Sequence, residues 1–140
     1  MLEALIAILI VSLGILGTVG LFARSMQNVE DSKYRSEAAL LASSLIGQMW
    51  VSDTHLASLN SKFSDISGGA EYVEFAAQLA QRLPMATAPP PTVVITAGPT
   101  AGSSNIVITI NWVHPGDAAD PSLPPFRQYV ANATIAGNAP

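Results

Sequence analysis

The sequence predicts an α+β protein in which one long N-terminal helix, half apolar and half amphipathic, packs on a small antiparallel sheet. Three observations predict it. Ala4 to Ala23 is a run of twenty residues without a charge. No proline occurs before Pro84, so nothing stops a helix that starts in that run from continuing past it. Beyond Pro91 the pattern changes to a period of two, clearest where Ile106, Ile108, Ile110 and Trp112 alternate with Val107, Thr109 and Asn111.

Residues 1–23 read as the membrane-spanning half of the first helix. Twenty residues at a helical rise span about 30 Å, the thickness of a hydrocarbon core. Glu3 stands directly in front of the run. An unpaired carboxylate drawn into apolar surroundings is costly, so Glu3 either sits among headgroups or has a partner. A cleaved secretory signal is the rival reading, with a small-x-small site at Thr18-Val19-Gly20. It lacks a basic n-region, and the apolar stretch is long for one. Gly14, Gly17 and Gly20 interrupt the run, and Gly14 with Thr18 forms a small-xxx-small pair. In lipid such residues let helices approach closely. Ordinary glycine usage in membrane helices is the plainer alternative. Arg24, Lys33 and Arg35 all follow the run and no basic residue precedes it, so the positive-inside rule alone would leave the rest of the chain in the cytoplasm.

From residue 24 to about Trp50 the helix turns amphipathic. Ala38, Leu41, Ala42, Leu45, Ile46 and Met49 follow helical spacing, and Met26 and Val29 extend the stripe backwards. Val51 to Gly69 reads as loop, with a helical turn near Leu56–Leu59. A second helix over 70–83 follows Ser67-Gly68-Gly69, with Glu71 and Glu74 early, Arg82 late and Pro84 as a stop. Its expected apolar set is Val73, Ala76, Ala77 and Ala80, with Phe75 and Leu79 beside it. Strands are expected over 92–97, 105–113 and 127–136, joined by a turn at 98–103 and a long proline-rich loop at 114–126. The apolar face of this meander needs a cover, which the amphipathic half of the long helix supplies. The organisation is therefore 1–23, the membrane half, and 24–140, one small domain.

Composition narrows the function classes. The net charge is −4 with six scattered basic residues, which does not provide the footprint a phosphate backbone needs, so nucleic acid is not an expected partner. Only 11% of residues are charged. The chain then either buries surface against other chains or presents a polar-neutral surface of Ser, Thr, Ala and Asn. Cysteine is absent, which removes thiol catalysis, thiolate metal sites and disulfides. His55 and His114 read as loop histidines without a second ligand, and Asp117 and Asp120 as an acidic turn. Asn132-Ala133-Thr134 matches a glycosylation sequon but falls in an expected strand. Nothing assembles into a catalytic constellation, no cofactor is expected, and the chain reads as a non-enzyme.

The N-terminal sequence MLEALIAILIVSLGILG, with Glu3 as its lone acid, resembles the start of a type IV pilin. The apolar run, its unbroken amphipathic extension and the terminal sheet are similar to the pilin-like fold along the whole chain. The segment SEAALLASSLIGQMW and the ITINW strand, followed by a proline-rich loop and a last strand, resemble minor pilins of the PilV type. The resemblance implies a subunit that waits in the bacterial inner membrane with its globular part in the periplasm. A prepilin peptidase trims it, its new N-terminus is methylated, and an assembly platform moves it into the filament. Its partners are then other minor and major pilins, packed through a bundle of N-terminal helices, and a large tip adhesin. The resemblance also implies that Glu3 pairs with the N-terminal amine of a neighbouring subunit. Gly14, Gly17, Thr18 and Gly20 would be helix-packing positions. Minor pilins of this kind resemble initiators of assembly at or near the tip.

The sequence departs from the family in two places. The family's basic leader, processing glycine and two further residues precede the position of Met1 and are missing here. The expectation is a chain trimmed at its start or a start codon called too late; if Met1 is the true start, processing and methylation fall away. The C-terminal cysteine pair of many major pilins is also missing. Two rival functions stay open: a minor pseudopilin of type II secretion, and a membrane-anchored binding module in which the helix is a plain anchor.

Overall fold

The computed structural model describes residues 1–84, 88–113 and 126–137. Its elements are α1 (Leu2–Val51), α2 (Leu56–Phe63), α3 (Ala70–Arg82), β1 (Thr92–Ala97), β2 (Ser103–Trp112) and β3 (Arg127–Ala136). The fold is α+β. The strands form one antiparallel sheet in the order β1-β2-β3, so the expected meander is present. The chain divides into two units, Met1–Lys33 and Tyr34–Pro140.

The first unit is helix alone. Residues 1–30 are all exposed, and α1 is long and apolar enough near its N-terminus to cross a membrane. The two hydroxyls of its charge-free run close on the helix itself. Ser12 Oγ donates to the Ile8 carbonyl at 2.7 Å and Thr18 Oγ1 to the Ile15 carbonyl at 2.8 Å. A polar side chain that closes on its own backbone can enter hydrocarbon without an orphaned donor.

The second unit is built on one core. From Tyr34 onward α1 lays Ala38, Leu41, Ala42, Leu45 and Met49 over the sheet, where Val93, Ile95, Ile106, Ile108, Ile110, Trp112 and Ile135 point back at it. The alternation read in the strands holds: β1 buries Val93 and Ile95, β2 buries Ile106, Ile108, Ile110 and Trp112, and β3 turns Tyr129, Ala131, Ala133 and Ile135 to one side. β2 starts at Ser103 rather than Asn105. Ser103 reads as the last turn residue, yet the backbones of Ser103 and Ser104 pair with Ala136 and Ile135. Meanwhile Ser103 Oγ closes the preceding turn on the Thr100 carbonyl at 2.7 Å. At the other end β2 stops at Trp112, and the Val113 N–H leaves the ladder for the Pro84 carbonyl at 2.9 Å.

Two expectations are corrected. The segment after α1 is not a loop with one turn but holds α2, two turns long. Asn60 and Ser61 are middling to poor helix formers, but Leu59 and Phe63, one turn apart, are both buried, and burial outweighs propensity. The Asp53 carboxylate steadies the start of α2 by accepting from the His55 N–H at 3.1 Å and the Ser58 hydroxyl at 2.6 Å. The Ser58 hydrogen bond, then the His55 one, hold its pKa below the ordinary 3.8. The second correction concerns α3. Phe75 and Leu79 are buried and Tyr72 is half-buried, whereas Val73 is 57% exposed and Ala77 and Ala80 are exposed. The three largest residues at helical spacing remove more apolar area from water than a stripe of alanines.

The link between α2 and α3 is tight. Gly68 has φ of 60°, in the left-handed region. A Cβ at Gly69 would collide with the Lys62 carbonyl, so the two helices approach through a position that only glycine fills. The Asp65 N–H then reaches the Val93 carbonyl at 3.4 Å and ties this link to β1.

Tyr72 fastens α3 to the chain ahead of β1, its hydroxyl donating to the Pro91 carbonyl at 2.8 Å. Burial first, then the nearby Asp65 carboxylate, raise its pKa above 10.0. The folded state thus holds the phenol proton more tightly than the unfolded one. The resulting stability is fully present below pH 10 and is lost as pH rises through the folded pKa. Tyr72→Phe should therefore lower stability by about 1 kcal/mol at neutral pH. It should also flatten the fall in Tm above pH 10, as melting curves of the two proteins across pH would show.

Candidate functional site

Two surfaces are candidates, one in each unit. The first is a stripe along the apolar half of α1. Glu3 lies in the first turn of the helix and is exposed. At about 100° per residue, Glu3 and Gly14 are close to three full turns apart and project on the same side. Gly17 and Thr18 fall within about 60° of Gly14, whereas Gly20 lies about 120° away. The helix thus gathers Glu3, Gly14, Gly17 and Thr18 on one side and leaves Gly20 off it. A Cβ built at Gly14, Gly17 or Gly20 meets no heavy atom of the described residues within 4 Å. Nothing in this chain's own packing therefore asks for glycine at these positions. What they provide is a shallow strip on which another helix can lie close.

The second surface is a groove of about 730 Å³ in the Tyr34–Pro140 unit. Ser44, Gly47, Gln48 and Val51 of α1, with Ser52 just beyond it, form one wall, Lys62 and Phe63 of α2 another, and Ala70 and Glu71 of α3 the third. Its wall is mainly apolar, and Val51 at its edge is 90% exposed. A narrower cleft continues along α1 and α3 between Ser44, Gln48, Glu71, Glu74 and Gln78. Among the described residues the ion pair is Arg82 with Glu37, at 3.2 Å, and it lies elsewhere; Lys62 and Glu71 make none. Sequence reading missed this groove. Gly47, a glycine among good helix formers on a polar face, is the signal that points to it.

Among the described residues the remaining sequence candidates form no centre. His55 is exposed, and its backbone serves Asp53. His114, Asp117, Asp120 and most of the proline-rich loop lie outside the described residues. Asn132 is exposed in β3, and Thr134 Oγ1 of the same sequon donates to Asn105 Oδ1 at 2.8 Å. Among the described residues no group of three or more acids and histidines is placed to hold a metal ion. Comparison of the chain with family models, with curated proteins and with solved structures returned no match.

Proposed function

We propose that this chain is a minor type IV pilin of the PilV type, a structural subunit that helps initiate pilus assembly at or near the tip. One observation carries the reading. A single helix of 50 residues begins with an acid and an uncharged, membrane-length half, and ends as the cover of a small antiparallel sheet. A plain membrane anchor has no use for such a continuous element, whereas a filament subunit needs an apolar and an amphipathic half in one helix. Before assembly the apolar half sits in the bacterial inner membrane with the globular part in the periplasm. Afterwards the same residues form helix-to-helix contacts in the filament.

On this reading Glu3 sets register. A carboxylate inside a low-dielectric helix bundle is tolerable only when paired, and the matching charge is the N-terminal amine of a neighbouring subunit. Such a pair adds little net stability, because desolvation offsets the attraction, yet a subunit seated one step out of place leaves the charge unpaired. Glu3→Ala should therefore reduce piliation, or incorporation of the chain into filaments, by at least about tenfold, the change that 1.4 kcal/mol produces. Wild-type piliation together with normal incorporation would overturn the proposal. If secretion fails in the same variant while pili are unaffected, the chain is instead a pseudopilin of a type II system, which shares this helix logic.

A further inference from the structure

We infer that the outer edge of β3 accepts an extended strand of a different protein, one whose residues alternate between apolar and uncharged polar. The register decides which backbone groups are free. The Gly137 N–H donates to the Gly102 carbonyl at 2.9 Å, and bonded pairs recur at every second residue of an antiparallel ladder. Tyr129, Ala131, Ala133 and Ile135 therefore direct their N–H and C=O groups to β2. Those of Gln128, Val130, Asn132 and Thr134 point away from it, and among the described residues they have no partner. The opposite edge of the sheet is covered, because the Val93 carbonyl of β1 accepts from the Asp65 N–H at 3.4 Å. Proteins commonly blunt an open edge with lysine, proline or a bulge. β3 has none of these. Arg127, at its start, is the one charged residue in the three strands, and the register with β2 is unbroken.

The side chains state what fits. Tyr129 and Ala131 lie against the core yet stay half-buried, so the inward residues of an added strand are apolar and cover them. On the outer face Val130 is 44% exposed beside the exposed Asn132 and Thr134, so the outward residues are uncharged. A second copy does not fit. Its β1 edge is covered, and two β3 edges paired antiparallel in one sheet have a two-fold axis normal to that sheet. The axis reverses the Tyr34–Val51 part of α1, against two copies that both enter one membrane by that helix. A parallel pairing sets the helix-covered face of one copy beside the bare face of the other. The inference does not rest on the pilin reading.

The chain has no cysteine, so a single introduced one reports the contact. Full-length Asn132→Cys in detergent is mixed with a synthetic peptide of about ten alternating valines and threonines with a central cysteine, and mildly oxidised. The mixed disulfide should exceed that formed with Val94→Cys, on the same face of the sheet but on β1, by about tenfold or more. In the unaltered chain, amide exchange at Gln128, Val130, Asn132 and Thr134 should be fast, and a cysteine-free form of the peptide should slow it by about tenfold or more. Val130→Pro removes one outward donor and leaves the inward bonds of Tyr129 and Ala131, so it should keep the near-ultraviolet circular dichroism and lose the peptide. A peptide N-methylated along its length tests the same bonds without touching the fold, and it should not bind the unaltered chain. Equal cross-linking at Asn132→Cys and Val94→Cys overturns the inference, as does undiminished binding of the N-methylated peptide. So does slow exchange of those amides in the chain alone, which would mean that the edge is already paired within the chain or with a second copy.

Discussion

Leu79→Ala should lower the stability of the Tyr34–Pro140 unit by about 3 kcal/mol, whereas Val73→Ala, six residues earlier on the same helix, should change it by less than about 0.5 kcal/mol. Leu79 is fully buried and packs in the single core shared by α1, the sheet and α2, while Val73 is 57% exposed. Truncating Leu79 removes its apolar contacts and leaves a cavity that a close-packed interior fills only in part. In a unit of this size the loss corresponds to a fall in Tm of more than about 10 °C. Near-ultraviolet circular dichroism of the full-length chain in detergent follows it through the buried Trp112. Equal losses at the two positions would mean that α3 presents its alanine side to the core.

Gly14→Leu should leave that Tm unchanged and still reduce association of the chain with its helix partners by about tenfold or more. Among the described residues nothing lies within 4 Å of a Cβ at Gly14, so a larger side chain meets no resistance there from the chain's own packing. The harm comes from outside, where it holds a neighbouring helix away from the strip and forfeits the close backbone approach that small residues allow in lipid. Gly20→Leu is the internal control, because it lies off the side that Glu3, Gly14, Gly17 and Thr18 share. Co-purification of tagged and untagged copies, or of the chain with filament partners, measures the difference. Equal effects at Gly14 and Gly20 would remove the stripe as an organising surface.

Much of the architecture was legible because it rests on long, regular patterns. The unbroken helix follows from the absence of any proline before Pro84, and the sheet from strict alternation around Ile106 to Trp112. What was not legible depended on tertiary context. α2 hides among Ser, Asn and Lys, and it exists because Leu59 and Phe63 find the core. On α3, alanine counts as apolar in a pattern but contributes little area, so the larger Phe75 and Leu79 decide which side turns inward. Ser103 looks like turn because its side chain is polar, yet it serves the turn with its hydroxyl and the ladder with its backbone. For the candidate sites, Glu3 and the glycines are visible as residues, but their alignment appears only once the helix is known to be continuous. The groove was invisible, being assembled from three helices of which one was legible only as a single turn near Leu56–Leu59.

The central claim is that the apolar half of α1 leaves the membrane to become part of a filament. Mass spectrometry of filaments sheared from cells that express the native chain tests it most directly. The account predicts peptides of this chain in the purified filament fraction, in low amount relative to the main subunit, and their loss from that fraction in Glu3→Ala. Finding the chain confined to the membrane fraction of cells that carry abundant filaments would contradict it.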